Sequence, residues 1–568
     1  MGIVCLVLTN ALTVAIPKLV QIAIDGLALG EGKDNVVPWV VAILLAGFAI
    51  MVVRTLSRTL FFNPGRTVEF RLKNELFGHL LKLPQSYYDR VRPGEIISRG
   101  TNDANSVRAL IGFGSLQLFN VVLVLTFTLS QMLSTHWELT LVCCLPLVVA
   151  AGILRYAIGG LFKLSKRAQA QIAVLSDRIL EFYNGVSVVR SYNALDGARH
   201  RFDDANDELL EIGLGLVRIS SWLLPVVFVV GNVCLVVLLF YGGQKVIEGD
   251  LTIGELAAFA VYINILVVAL TSLGWLINSV QRGWISLGRV SEVLEAPIER
   301  TVGEQPIPDA ENGGLAVAVR ELTFRYEGSE QDNLSDLSFE VEAGNTLGVF
   351  GPTGSGKSTL LHLLARVYEP PEGSVHVASG DVRDYDVTQY WERVAIVSQE
   401  AFLFSTSVSN NIALADGASD TTLGRIRDAA SDAQLRDDLK VLPEGLDTRV
   451  GERGITLSGG QRQRTALARA FYRDFDLLLL DDVMSAVDHA TEEKLIASIY
   501  ERAKGATMVV VSHRTSVLKE ADSILVMEEG KIVDRGTHAD LIARDGSYQR
   551  AWELQQEESH GGADERTE

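Results

Sequence analysis

The sequence predicts a multidomain chain: an all-α, six-helix transmembrane domain with long cytoplasmic helical extensions, followed by an α/β domain of the P-loop type. Three observations carry this prediction. Six apolar runs fall within residues 3–280, each near the roughly 20 residues that a helix needs to cross the hydrocarbon core. A glycine-rich segment, Gly351-Pro-Thr-Gly-Ser-Gly-Lys357-Ser358-Thr359, stands in the second half. The charge also divides between the halves: residues 1–300 hold 25 basic and 23 acidic side chains, whereas residues 301–568 hold 26 and 47.

The whole chain has 568 residues, a formal charge of −19, 48% hydrophobic residues and a mean hydropathy of +0.21. Its length allows roughly three to four domains of ordinary size. So negative a balance argues against a nucleic-acid partner, whose phosphates need a basic stripe. The apolar fraction excludes global disorder. Cys5, Cys143, Cys144 and Cys234 all sit inside apolar runs, in no zinc-binding spacing, and imply no disulfide framework.

The spans are predicted near 3–24, 36–62, 116–135, 138–161, 220–243 and 253–280. The first lacks a basic leader and an A-x-A site, so it reads as a span and not a signal peptide. It carries Asn10, Pro17, Lys18 and Gln21, which predicts a helix that leaves the bilayer well before Asp25. On that reading the sequence begins part-way through this span, and further residues are expected upstream of Met1. Cations set the orientation. Eight lie between spans two and three, from Arg66 to Arg108, and the stretch Lys163–Arg201 after span four holds seven more. The loops at 25–35, 136–138 and 244–252 are short and poor in cations. Both long basic loops and both termini are therefore expected on the cytoplasmic side.

Each long loop has about 50 to 60 residues, more than a simple connector needs. Apolar residues recur at helical spacing (Leu72, Leu76, Leu80, Leu83), so the loops read as membrane helices that continue into the cytosol and fold back. Breaks around Pro84–Gly94 and Asn184–Ser191 would each hold a short surface helix able to touch a soluble domain.

A Pro/Gly/Glu-rich stretch, residues 296–314, is the expected linker. The P-loop segment follows an apolar strand, Thr346–Phe350, and opens a helix over Leu360–Arg366, the context that such a motif requires. Glycines let the backbone wrap phosphates, while its N–H groups and the helix start supply positive potential. Gly351, Thr353, Gly354, Ser355, Gly356, Lys357, Ser358 and Thr359 form this candidate cradle. Lys357 would reach the β- and γ-phosphates and Ser358 would ligate Mg²⁺. A second apolar strand, Leu477–Leu480, ends in Asp481-Asp482, where the magnesium shell needs an acid. Between them stands Leu457-Ser458-Gly459-Gly460-Gln461, a second anion cradle at a helix start. One chain rarely needs two cradles for one triphosphate, so this one is expected to serve a nucleotide held by another copy or partner.

The ordered set resembles the ATP-binding cassette (ABC) transporters: the P-loop segment, Gln399 after a strand, LSGGQ, the Asp481 strand, Ser485-Ala-Val-Asp488 and His513. Together with the six-span half, the resemblance to the exporter branch covers residues 1–550. It implies a transmembrane domain over 1–295, the linker at 296–314, an ATP-binding cassette over 315–550 and an acidic tail over 551–568. It also implies ATP and Mg²⁺ as cofactors, two halves that sandwich two ATP molecules, and coupling helices near 86–90 and 185–190 seated in cassette grooves. By the same resemblance Tyr326 would stack on adenine, and Gln399 would touch Mg²⁺ and the attacking water beside the coupling-helix groove. Asp481 would hold the metal, His513 would clamp the γ-phosphate and Asp488 would report across the dimer. Thr448–Glu452 resembles the segment that senses the membrane loops.

One position departs from the family pattern. The catalytic base expected after Asp481 is Glu, and this chain has Asp482. Asp is one methylene shorter, about 1.5 Å, and a base misplaced by about 1 Å can cost on the order of 10²-fold. The chain's own site is therefore expected to hydrolyse slowly, while its LSGGQ is intact. This combination resembles one member of the multidrug-type heterodimeric exporters, whose other half would carry the intact Glu.

Cargo is less legible. Asn232, Tyr262, Asn264, Trp275, Asn278 and Gln281 lie in spans five and six. They would either line a cavity or bond between helices. Amphipathic small molecules are the first expectation, with lipids and a nucleotide-gated channel or regulatory subunit as alternatives. The expected location is an integral, multi-pass inner or plasma membrane protein with a cytoplasmic cassette.

Overall fold

A computed structural model describes the chain except residues 30–32, 299–302, 304, 311–312, 418, 420–421, 452–453, 455, 485–488 and 565–568. It divides into two compact units, Met1–Leu81 with Pro93–Ala296, and Lys82–Arg92 with Pro297–Glu568.

The first unit is helical: α1 (Gly2–Ala28), α2 (Lys33–Leu80), α4 (Pro93–Ser98), α5 (Ala104–Ala109), α6 (Ser115–Thr135), α7 (Trp137–Asn184), α8 (Val186–Ser191), α9 (Leu195–Val237), α10 (Gly243–Glu248) and α11 (Ile253–Leu294). The short α3 (Gln85–Arg90) belongs to the second unit. Six of the described helical stretches are long and apolar enough to cross a membrane. Both α2 and α7 continue as helix well past their apolar runs. Single π-helical turns at Arg99–Asp103, Leu110–Gly114 and Leu238–Gly242 interrupt the third and fifth spans.

The helical core gathers Val14, Met132, Leu139, Cys143, Cys234, Leu238, Phe259 and Tyr262. The polar residues of α1 face inward. Asn10 is 3% exposed, and its Nδ2 donates to Leu6 O (2.9 Å) and Asn120 Oδ1 (3.2 Å). At the other end of α1, Asp25 accepts from Gly254 N and Thr252 Oγ1, both at 2.9 Å, and so caps the start of α11. A Cβ at Gly254 would lie 2.3 Å from Gln21 O, so this close approach requires glycine. Deeper along α11, buried Asp103 accepts from Ser286 Oγ (2.7 Å) and Arg289 Nε (3.0 Å).

The second unit holds two sheets. β1 (Val317–Phe324), β2 (Leu334–Val341), β4 (Val375–Val377) and β5 (Gly380–Asp381) form an antiparallel sheet in the order β2-β1-β4-β5. β3 (Thr346–Phe350), β6 (Val394–Val397), β7 (Leu477–Asp481), β8 (Thr507–Val511), β9 (Ser523–Glu528) and β10 (Lys531–Gly536) form the other, in the order β10-β9-β3-β8-β7-β6. This sheet is parallel except for β10. Every residue of β7 and β8 is buried, as continuous apolar runs in a covered parallel sheet must be.

One expected boundary shifts and two expected segments gain structure. The helix after the P-loop segment is α12 (Lys357–Leu364); it stops short of Arg366, which is left-handed (φ 54°) and 1% exposed. The Arg366 guanidinium donates to Val382 O (3.0 Å), Tyr385 O (2.9 Å) and Glu369, and this burial turns the chain away. The linker is partly pinned, with Gln305 N donating to Asp384 O and Asp386 N to Gln305 O, both at 3.1 Å. The acidic tail starts inside a helix, Ser547–Asp564, because Tyr548 and Trp552 give that helix an apolar face packed on His538 and Phe350.

Candidate active site

The ends of β3, β7 and β8 frame a cavity of about 910 Å³, bordered by Gly351, Thr353, Gly354, Gly356–Thr359, Gln399, Asp481, Asp482 and His513. It lies where ligands bind in doubly wound sheets, beyond the carboxyl ends of the strands. Gly354 and Gly356 are left-handed (φ 85° and 93°). A Cβ at Gly356 would come within 2.6 Å of Leu334 Cδ2, and one at Gly351 within 2.2 Å of Met527 O. Only glycine permits this loop.

Lys357 Nζ donates to Gly351 O and Pro352 O, both at 2.7 Å, and to Ser355 Oγ at 3.3 Å. Burial pushes its pKa down, and the charges of Asp481 and Asp482 oppose that shift. The ammonium is thus poised to exchange carbonyls for phosphate oxygens. Asp481 is 4% exposed, and burial raises its pKa against the hydrogen bond from Ser358. A buried carboxylate with a hydroxyl on it and the Gln399 amide in the same cavity is a donor set that fits Mg²⁺. Among the described residues no three His, Cys, Asp or Glu side chains form a closed metal cage.

Asp482 is left-handed (φ 45°), with its N–H donating to Val511 O at 3.0 Å. Its carboxylate oxygens lie 2.9 and 3.1 Å from His513 Nδ1, and Gln399 Nε2 donates to it at 3.4 Å. Gln463 Nε2 donates to the Asp482 carbonyl at 3.3 Å. Gln463 and Tyr368 were not anticipated from the sequence; a lone Gln two residues past the signature and a lone Tyr carry no spacing signal.

Two groups of expected residues stay out of the cavity. Tyr326 stacks edge-on with Phe324 and Tyr368, ring centroids 5.1 and 5.0 Å apart, and its hydroxyl donates to Thr359 Oγ1 at 3.3 Å. Ser458, Gly459, Gly460 and Gln461 open the helix Gly459–Tyr472, where Ser458 Oγ accepts from Gln461 N and Gln461 Oε1 accepts from Ser458 N. None of these four borders the cavity. The segment Ser485–Asp488 and Glu452 lie outside the described residues.

The short helix α3 sits on the cassette, with Asp89 accepting from Tyr368 Oη at 2.7 Å and Arg90 paired with Glu327 at 2.7 Å. The groove beside it, about 510 Å³, is bordered by Pro84, Ser86, Tyr326, Val367 and Arg383 among others. Gln399 is not on this groove, contrary to the expectation from sequence. It follows β6, whose end opens on the phosphate cavity.

Residues 1–270 match the family described as the ABC transporter transmembrane region, and residues 334–485 match the family described as ABC transporter. The chain is 34% identical to a probable multidrug resistance ABC transporter ATP-binding/permease protein, YheI, of Bacillus subtilis (strain 168), over 99% of this chain and 96% of that one. It is 32% identical to the multidrug resistance-like ATP-binding protein MdlA of Escherichia coli (strain K12), over 98% and 94%. Over 86% of this chain and 83% of the relative, it is 33% identical to an ATP-dependent lipid A-core flippase of Vibrio cholerae. A solved structure of a bacterial Atm1-family ABC exporter with ATP bound is similar at a TM-score of 0.80 and 26% identity, covering 98% of this chain and 97% of that one. The chain therefore belongs to the ABC transporter family, as a multi-pass membrane protein with a cytoplasmic cassette that couples ATP hydrolysis to export.

Proposed function

We propose that this chain is one half of a heterodimeric exporter of amphipathic small molecules. Its own nucleotide site would be hydrolytically weak, and its non-identical partner would carry Glu at the position of Asp482. The observation that carries this reading is the engagement of Asp482: both carboxylate oxygens lie within 3.1 Å of His513 Nδ1. A short carboxylate held by an imidazole is poorly placed to take a proton from water in the cavity. The position of Ser458–Gln461 outside the cavity supports dimerisation, since this helix start would face a phosphate held by the partner.

In this site the P-loop backbone would wrap the phosphates of ATP, and Lys357 would leave its carbonyls for the β/γ oxygens. Ser358, Asp481 and Gln399 would hold Mg²⁺, which when bound supplies neutralising charge to the phosphates. His513, with Nδ1 turned to Asp482, would present its other nitrogen to the γ-phosphate, and Tyr326 would stack on adenine after leaving its contacts with Phe324 and Tyr368. The residues expected in a substrate path divide. Tyr262 is 1% exposed and donates to Val14 O at 3.3 Å, an interhelical bond, whereas Asn232, Asn264, Trp275 and Gln281 are exposed on this chain and would face cargo or the partner. The flippase relative favours lipids as a second cargo class.

The test is ATP turnover by the chain alone and with the ABC subunit encoded beside it. Slow turnover alone and fast turnover together is expected; appreciable turnover by the isolated chain would sink the asymmetric reading. Asp482→Glu should raise hydrolysis on the order of 10²-fold, and an unchanged rate would remove reach as the cause. Accumulation of a fluorescent amphiphile in vesicles should need hydrolysable ATP, which a nucleotide-gated channel would not require.

A further inference from the structure

The turn that carries His513 is held from a direction that the site itself does not supply. Gln555, on the helix Ser547–Asp564, accepts at Oε1 from Thr515 N (2.9 Å) and from Thr515 Oγ1 (2.8 Å), and its Nε2 donates to His513 O (3.0 Å). Both ends of one amide are therefore spent on the backbone around the histidine. From a different helix, His489–Arg502, buried Glu492 accepts from Ser516 Oγ at 2.8 Å and pairs with Arg514. The helix bearing Gln555 is not a loose tail. Tyr548 is 2% exposed and meets the Phe350 ring edge-on at 5.1 Å, and Phe350 is the residue before the P-loop glycine Gly351. His538 Nδ1 lies 2.8 Å from the Tyr548 hydroxyl and its ring packs on Trp552 at 4.8 Å. One helix thus braces the root of the phosphate loop through Tyr548 and the His513 turn through Gln555.

We infer that Gln555 is a positioning residue for ATP cleavage, fixing the turn that aims His513 at the γ-phosphate. The inference rests on the reading above, in which His513 touches that phosphate. An imidazole is set by two constraints: its Nδ1 partner, Asp482, fixes the ring's rotation, and the backbone fixes where the ring starts. Asp482 supplies the first and Gln555 the second. Without the amide, Thr515 N and His513 O turn to water, and the imidazole loses its aim while the P-loop keeps its grip on the nucleotide.

The chain, reconstituted in nanodiscs, is compared as wild type, Gln555→Ala, Gln555→Glu and His513→Ala. Single-turnover cleavage of ATP with the protein in excess reads even a slow site. Gln555→Ala is expected to lower the cleavage rate constant about tenfold, with the Kd for ATP within about twofold, and to speed amide exchange over 512–516. Gln555→Glu keeps both Thr515 contacts, loses the donor to His513 O, and should fall between. Wild-type cleavage by Gln555→Ala beside a dead His513→Ala overturns the inference alone. So does a joint loss of cleavage, ATP affinity and thermal stability, which marks a general structural defect. Wild-type cleavage by His513→Ala overturns the role assigned to that histidine, and the inference with it.

Discussion

Two helices of six residues, α3 and α8, end the two cytoplasmic hairpins and differ in what covers them. The first folds with the cassette: Asp89 is bonded to Tyr368, Arg90 to Glu327, and Pro84 and Ser86 border the same groove as Tyr326. The second packs on the ends of α7 and α9 and leaves its apolar side chains open, with Val188 58% exposed and neighbouring Tyr192 81% exposed. Exposed apolar side chains on a helix that ends a cytoplasmic hairpin mark a surface that wants a partner. In the proposed dimer that partner is the cassette of the other subunit. The lesson is one of division: α3 has its contacts written within one chain, α8 does not.

Three substitutions sharpen or break this contrast. The largest effect is expected for Val188→Asp, which places a charge in the proposed interface. Vesicle transport should fall tenfold or more, about 1.4 kcal/mol or above, while the chain still folds and binds ATP. Unaltered transport would mean that α8 docks nowhere. A smaller effect is expected for Tyr368→Phe, which keeps the ring and removes the hydrogen bond to Asp89. Burial, and then the bond to Asp89, push the Tyr368 phenol above its ordinary pKa, so it stays a donor through the physiological range. A hydrogen bond to a charged group contributes about 1.5 kcal/mol. In the proposed exporter, ATPase stimulated by an amphiphile should therefore drop severalfold with basal turnover retained, and full stimulation would show that α3 couples by packing alone. The smallest belongs to Arg90→Ala. The Arg90–Glu327 pair is more than half exposed on both sides, and such pairs contribute about 0–1 kcal/mol. Stimulation should change less than twofold, and a tenfold loss would show that this pair carries the coupling.

Much of the molecule was legible without coordinates because its signals are local. Span length, loop cations and the P-loop glycines each act within one short stretch of chain. The phosphate cavity gathers Lys357, Ser358, Gln399, Asp481, Asp482 and His513, residues that motif order alone had singled out. What the sequence did not reveal had a non-local cause. The helix after the P-loop stops early because Arg366 spends its guanidinium on carbonyls at 382 and 385. The acidic tail is a helix because Tyr548 finds Phe350 almost 200 positions earlier. Tyr326 turns to Tyr368, which no spacing rule connects to it.

The sequence by itself determined six spans, their orientation, and a P-loop engine with Asp482 where the family resemblance leads one to expect Glu, since hydrophobicity, charge and backbone freedom are properties of each residue. Only the tertiary structure decided that Asp482 is held by His513, that Tyr326 packs on Tyr368, and that Gln555 grips the histidine turn. Hydrogen bonds and ring contacts depend on which distant segments the folded sheet and helices bring within about 3 to 5 Å, and a linear pattern does not encode those distances.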